Sequence, residues 1–168
     1  MTGKLHMSLG IYAGAIGGLF LIPGLPSKVI FMTGSIFGSL VPDIDIPTST
    51  IGKRIPFIPK LINSCFGHRG ITHSPFCVLL LFFVFHRMNF RIWIQPFLTG
   101  ILIGYVMHLI QDFFTKGGIP LFFPFIRKKY SVGLFKSGSK FDSLITKAIS
   151  IIWTIFLISF QCYGNLCW

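Results

Sequence analysis

Pro96-Phe97-Leu98-Thr99-Gly100-Ile101-Leu102-Ile103-Gly104-Tyr105-Val106-Met107-His108-Leu109-Ile110-Gln111-Asp112-Phe113-Phe114 is an unbroken apolar run that ends on two ionisable side chains. Its length matches the ~20 residues that a helix needs to cross a bilayer. His108 and Asp112 stand at i, i+4, so both project from one helical face, the spacing used by helical metal-ligand pairs. Ionisable groups inside a span are expensive and mark function. The plain alternative is a His–Asp hydrogen bond that braces the bundle.

Four further apolar segments flank this one: Met7–Ile22, Val29–Val41, Pro75–Phe85 and Leu144–Tyr163. The run at Pro96–Phe114 and the one at Leu144–Tyr163 have full spanning length; Met7–Ile22 is marginal. The other two are short enough to half-span or to lie buried in the bundle. The first segment is rich in glycine and alanine (Gly10, Ala13, Gly14, Ala15, Gly17, Gly18), which permits close helix contact in lipid. It has one lysine before it and no A-x-A site after it, so it reads as a retained span and not a signal peptide.

Composition agrees. The 168 residues are 52% apolar and 11% charged, against roughly 25% charged in a soluble domain, and the mean hydropathy is +0.75. Disorder, collagen and coiled coil are excluded. The expected fold is an all-α polytopic membrane protein: one integral domain over residues 1–168, about five apolar helical segments, some short, with a polar site at their cytoplasmic ends.

The loops set the expected orientation. If the spans alternate, Lys4, Lys53, Arg54, Lys60, Arg69, Lys116, Arg127, Lys128, Lys129, Lys136, Lys140 and Lys147 fall on one side, and only Lys28, Arg87 and Arg91 on the other. The positive-inside rule makes the crowded side cytoplasmic. The N-terminus is then cytoplasmic and the C-terminus periplasmic, in a bacterial inner membrane. A periplasmic tail would carry Cys162 and Cys167 where a disulfide is chemically allowed. The four cysteines form no C-x-x-C pair, which excludes a zinc ribbon or thioredoxin-type motif.

On this map the unusual polar residues gather on the cytoplasmic side. His6 precedes the first span, Asp43 and Asp45 follow the second, and His68 and His73 precede the third. His108 and Asp112 close the fourth. The chain has only four acids, of which the fourth is Asp142, and no glutamate. Asp43-Ile44-Asp45 lies between Pro42 and Pro47, which favour extended backbone; both carboxylates then point the same way and repel unless a cation sits between them. A solvated turn is the alternative. In His68-Arg69-Gly70-Ile71-Thr72-His73-Ser74-Pro75, Ser74 and Pro75 read as a helix cap and first turn, and Arg69 as a clamp for an anionic oxygen. The alternative there is a basic loop touching lipid headgroups. The basic run Arg127-Lys128-Lys129-Tyr130 rests on anionic lipid in this reading; no nucleic-acid-binding fold accompanies it.

Leu40-Val41-Pro42-Asp43-Ile44-Asp45-Ile46-Pro47, Ser49 to Arg54, and Phe66-Gly67-His68-Arg69-Gly70-Ile71-Thr72-His73-Ser74 resemble the LexA-regulated, membrane-bound metal-dependent hydrolases (YdjM-like). Gly104-Tyr105-Val106-Met107-His108-Leu109-Ile110-Gln111-Asp112 and Thr115-Lys116-Gly117-Gly118-Ile119-Pro120-Leu121, with Pro124, resemble the motifs that follow in that family. The likeness runs from about His6 to Pro124. Ile46 departs from it, since many relatives carry histidine there.

The resemblance implies metal binding and hydrolysis. The candidate ligands are His6, Asp43, Asp45, His68, His73, His108 and Asp112. Mixed imidazole and carboxylate suits zinc first, with manganese or iron as alternatives, in one ion or two. With no glutamate present and no G-x-S-x-G nucleophile motif, the general base is one of the site aspartates or the metal hydroxide itself, and Asp45, Arg69 and Asp112 are the catalytic candidates. A phosphoester-containing or lipid-like substrate fits Arg69, the neighbouring basic residues and the aromatic Phe122, Phe123 and Phe125. A metal transporter would need its ligands near mid-membrane; a non-enzymatic metal-binding membrane protein also stays open.

Overall fold

The computed structural model describes residues 3–55, 57–67, 69–88, 93–145, 147–148, 150–152 and 155. They form α1 (Gly3–Leu21), α2 (Leu25–Gly38), α3 (Phe57–Phe66), α4 (Pro75–Arg87) and α5 (Gln95–Phe114), with 3₁₀ turns at Val41–Asp45, Gly52–Arg54 and Ile71–His73. The described residues between 140 and 155 are helical again. Among the described residues there is no strand, only two isolated bridges, Thr115 with Phe135 and Ile119 with Tyr130. The described residues are all-helical in their regular structure, as expected.

Proline and glycine set the boundaries. Pro23 and Gly24, the latter at φ 76°, separate α1 from α2, and a proline stands in the first turn of α2, α4 and α5. Pro supplies the helical φ where its missing N–H is not needed. Ser74 caps α4 as anticipated: its Oγ accepts from the Cys77 N–H at 3.3 Å.

α1 and α5, with 19 and 20 residues, are long and apolar enough to cross a membrane. α2 has 14 residues and α4 has 13, so each rises only about 20 Å, short of the ~30 Å hydrocarbon core. Among the described residues, two of the five expected apolar segments therefore have spanning length. α3 is a helix the apolar pattern did not announce, because Pro59, Lys60, Asn63 and Ser64 interrupt it. It carries Phe57, Ile58 and Leu61 on an exposed face, the pattern of a helix lying in a membrane interface. Most of the segment at Leu144–Tyr163, together with Cys162 and Cys167, lies outside the described residues.

The interior runs opposite to that of a soluble protein. Among the described residues, seven hydrophobic side chains are buried against thirteen polar or charged ones, while Phe20, Leu25, Phe57 and Phe125 are largely exposed. Lipid solvates such an exterior, so apolar residues need not turn inward. What fills the centre is backbone. Gly34 and Gly38 of α2 face α5, and Gly100 and Gly104 of α5 face α2. A Cβ on any of the four would stand 2.0–2.1 Å from a carbonyl oxygen of the opposite helix. Ser35 Oγ donates to the Gly10 carbonyl at 2.8 Å and ties α2 to α1. The first turn of α1, the end of α2, the start of α4 and the last turn of α5 meet at one end of this bundle.

Candidate metal centre

His108 anchors the site. Its Nδ1 lies 2.7 Å from the Ser39 carbonyl oxygen just beyond α2. A carbonyl only accepts, so Nδ1 carries the proton and Nε2 turns its lone pair inward. That Nε2 is 3.3 Å from His73 Nε2, 3.8 Å from Asp43 Oδ1 and 3.8 Å from Asp112 Oδ2. His73 Nε2 in turn lies 3.7 Å from Asp43 Oδ1 and 3.6 Å from Asp112 Oδ2. Its Nδ1 faces outward, 3.5 Å from Asp45 Oδ2 and 3.2 Å from Thr72 Oγ1. The Tyr105 hydroxyl donates to the Thr72 carbonyl and braces this turn from α5.

His6 completes the group from a position that needs correcting. It lies inside α1, not before it, because the helix begins at Gly3 and incorporates Lys4. Its ring stacks on His108 with centroids 3.7 Å apart and planes 14° off parallel, and its Nε2 is 3.7 Å from Asp112 Oδ1. Both ring nitrogens are buried without a hydrogen-bond partner.

The backbone around the two aspartates also differs from expectation. Val41–Asp45 is a 3₁₀ turn, not an extended segment. Pro42 supplies a helical φ, which suits the start of a turn as well as extended chain. Ile46, preceding Pro47, is forced extended at φ −105° and ψ 113° and ends the turn. Asp43 and Asp45 consequently approach His73 from its two different nitrogens. Asn63 of α3 holds the turn by donating from Nδ2 to the Asp45 carbonyl at 3.1 Å.

Arg69 ties the carboxylates together. Its backbone N–H donates to Asp45 Oδ2 at 2.7 Å, and Nη2 lies 2.8 Å from Asp112 Oδ2. The residue sits at φ 57°, a left-handed conformation that costs a non-glycine residue about 1–2 kcal/mol and persists where its surroundings enforce it. Gly117 makes room for the guanidinium: a Cβ there would lie 1.6 Å from Nη1. Thus six of the sequence-derived ligand candidates converge, while His68 lies outside the described residues.

The donor set fits a divalent cation. Overlapping triads (His6, Asp43, His108; His73, His108, Asp112; Asp43, Asp45, His73) each bring ligand atoms within 4.8 Å. Ligands ~2.1 Å from a tetrahedral ion are roughly 3.4 Å apart, close to the 3.3–3.8 Å seen here. Asp43, Asp45 and Asp112, all buried or nearly so, stand close together, and carboxylates so placed repel one another unless cations lie among them. Burial raises the Asp43 carboxyl, but the neighbouring His73 and His108 rings outweigh that and hold it below the ordinary value.

Two contributors escape sequence reasoning: the Ser39 carbonyl, which has no side-chain signature, and Tyr105, which reads as one more apolar residue. Gln111 left a signal, as a carboxamide in an apolar span; it is buried, with neither terminal atom hydrogen-bonded.

Residues 1–166 match the family described as YdjM inner membrane protein. The chain belongs to the YdjM family. Among its relatives, the uncharacterized protein YvsG of Bacillus subtilis (strain 168) is 32% identical over 151 residues, covering 90% of this chain and 91% of that one. The inner membrane protein YdjM of Escherichia coli (strain K12) is 33% identical over 127 residues, 73% of this chain and 64% of its own; the Shigella flexneri protein of that name matches to the same extent. No solved structure matches. The motif resemblance is therefore borne out, and YdjM family membership with two apolar helices of spanning length supports an inner-membrane location.

Proposed function

We propose that this YdjM-family protein is a membrane-bound metal-dependent hydrolase acting at the cytoplasmic face of the inner membrane on a phosphoester or lipid-like substrate. The observation that carries it is the meeting of His6, Asp43, His73, His108 and Asp112, from four elements, at one end of a bundle otherwise closed by small residues. These five would hold the ion, with zinc first and manganese or iron as alternatives. A bound divalent ion supplies Lewis-acid polarisation of the substrate oxygen and a water acidified towards pKa ~7.

The chain's own groups do the rest. Asp45 receives the Arg69 N–H and faces His73 Nδ1, which turns Nε2 inward; such carboxylate–histidine contacts orient metal ligands. Asp43 is the carboxylate open to solvent, its side chain 14% exposed against 0% for Asp45 and 1% for Asp112. As the most accessible of the three, Asp43 suits the base role beside Asp112, and Asp45 suits a positioning role. Arg69 offers its positive charge next to Asp112, where it stabilises charge developing on a phosphoryl oxygen.

Purified protein in mild detergent is expected to hydrolyse members of a panel of lipid phosphomonoesters and phosphodiesters, to lose activity on chelation and to regain it with zinc or manganese. Retained metal with no hydrolysis across the panel would leave a non-enzymatic metal-binding membrane protein. The twelve-to-three division of basic residues further predicts that a reporter inserted near Gly138 reports the cytoplasm and one fused after Trp168 the periplasm. Both reporters on one side would overturn that orientation.

A further inference from the structure

The segment after α5 separates two features of opposite character. Pro120 lines a cleft of about 200 Å³ together with Phe66, Arg69, Phe123, Arg127 and Lys129. Its neighbours Ile119 and Leu121 point the other way, into a groove of about 490 Å³ between α4 and α5 walled by apolar side chains such as Val78, Leu79, Val106 and Ile110. Side chains alternate along an extended stretch, so three consecutive residues divide a basic cleft from an apolar one.

The cleft is built for an anion. Arg69, Arg127 and Lys129 line it and no carboxylate does. Arg69 is only 8% exposed, and its Nε is buried without a hydrogen-bond partner. Its Nη1 reaches Thr115 Oγ1 and the Gly118 carbonyl and its Nη2 reaches Ser137 Oγ, so Nε is the donor left for a phosphate oxygen, and a buried donor in that state is costly. The same guanidinium reaches Asp112 at 2.8 Å, which links the cleft to the metal centre. Phe66 and Phe123 meet edge to face at 6.5 Å to form its wall, and Phe125 beside them is 92% exposed, as aromatic residues at headgroup level are.

We infer that the cleft over Arg69 binds the phosphate of an anionic lipid whose acyl chain lies in the groove between α4 and α5. This rests on the hydrolase reading above for the chemistry at the metal centre, but the binding stands by itself. A soluble phosphoester would use the cleft and ignore the groove; a neutral lipid would do the reverse.

Titration of the protein in detergent with dioleoyl phosphatidic acid, dioleoylglycerol and inorganic phosphate separates these cases. Phosphatidic acid is expected to bind well below the concentrations at which the other two do. Replacing Arg127 and Lys129 together by Ala should weaken it by about tenfold, the scale of charge-assisted phosphate contacts. Val106→Trp, or Ile110→Trp where the first does not insert, fills the groove and should weaken phosphatidic acid while leaving phosphate unchanged. All these variants should keep wild-type metal content, since none touches the imidazole–carboxylate cluster. Phosphate binding equal to that of the lipid, indifferent to groove filling, would overturn the lipid assignment. Lipid binding indifferent to the Arg127 and Lys129 replacement would overturn the cleft. Specific lipid binding without hydrolysis would sink the hydrolase reading and leave this one standing.

Discussion

Asp112→Asn is expected to yield protein that inserts and folds normally but has lost most of its bound metal and any hydrolytic activity. Asp112 is the hub of the cluster: Oδ1 lies 3.7 Å from His6, and Oδ2 lies 3.6 Å from His73, 3.8 Å from His108 and 2.8 Å from Arg69. Asparagine keeps the shape and much of the hydrogen bonding while removing the negative charge that neutralises a cation. If Asp112 and His108 only brace α5 against its neighbours, exchanging both for apolar residues of similar size should be tolerated, because a buried polar pair can often be replaced without loss. If they hold metal, that double exchange abolishes binding. Elemental analysis beside size-exclusion profiles reads both variants. Normal metal content and activity in Asp112→Asn would establish the bracing role and remove α5 from the site.

The second large effect is expected from Gly104→Leu, which should prevent recovery of a folded, monodisperse protein. A Cβ at residue 104 would stand 2.0 Å from the Ser35 carbonyl oxygen and 2.8 Å from the Ser39 nitrogen. Both are backbone atoms at the end of α2, so no side-chain rotation relieves the clash and the helices must part. Overpacking costs about 1–3 kcal/mol even where a core can adjust; here separation also withdraws the Ser39 carbonyl that fixes His108. Gly18→Ala is the matched control on α1, because a Cβ there meets nothing closer than 3.7 Å. Gly104→Leu protein with wild-type yield, thermal stability and metal content would show that α2 and α5 do not depend on this contact.

Much of the site is legible in the sequence because acids are so scarce. With four acids in 168 residues, Asp43, Asp45 and Asp112 stand out, and the fold brings them together at one end of the bundle. The i, i+4 pair on α5 survives folding because helix periodicity alone determines it. Local backbone is less legible. Pro42 is compatible with both turn and extended chain, so the 3₁₀ turn that splits Asp43 from Asp45 depends on tertiary contacts such as Asn63 with the Asp45 carbonyl. α3 escapes the apolar pattern because polar residues interrupt it and its exposed apolar residues Phe57, Ile58 and Leu61 are few. The small-residue signal of the first apolar segment recurs at Gly34-x-x-x-Gly38 and Gly100-x-x-x-Gly104, where it carries the tightest interhelical approach. Arg69 reads as an open clamp in sequence; only the structure shows its guanidinium already paired with Asp112.

Elemental analysis of the wild-type protein shows whether the polar end of the bundle holds metal. Protein purified in mild detergent without chelator is expected to carry about one or two transition-metal ions per chain, to release them on chelation and to take up zinc again on titration. A monodisperse, folded preparation that carries no transition metal and binds none on titration would rule out a metal site at this end of the bundle.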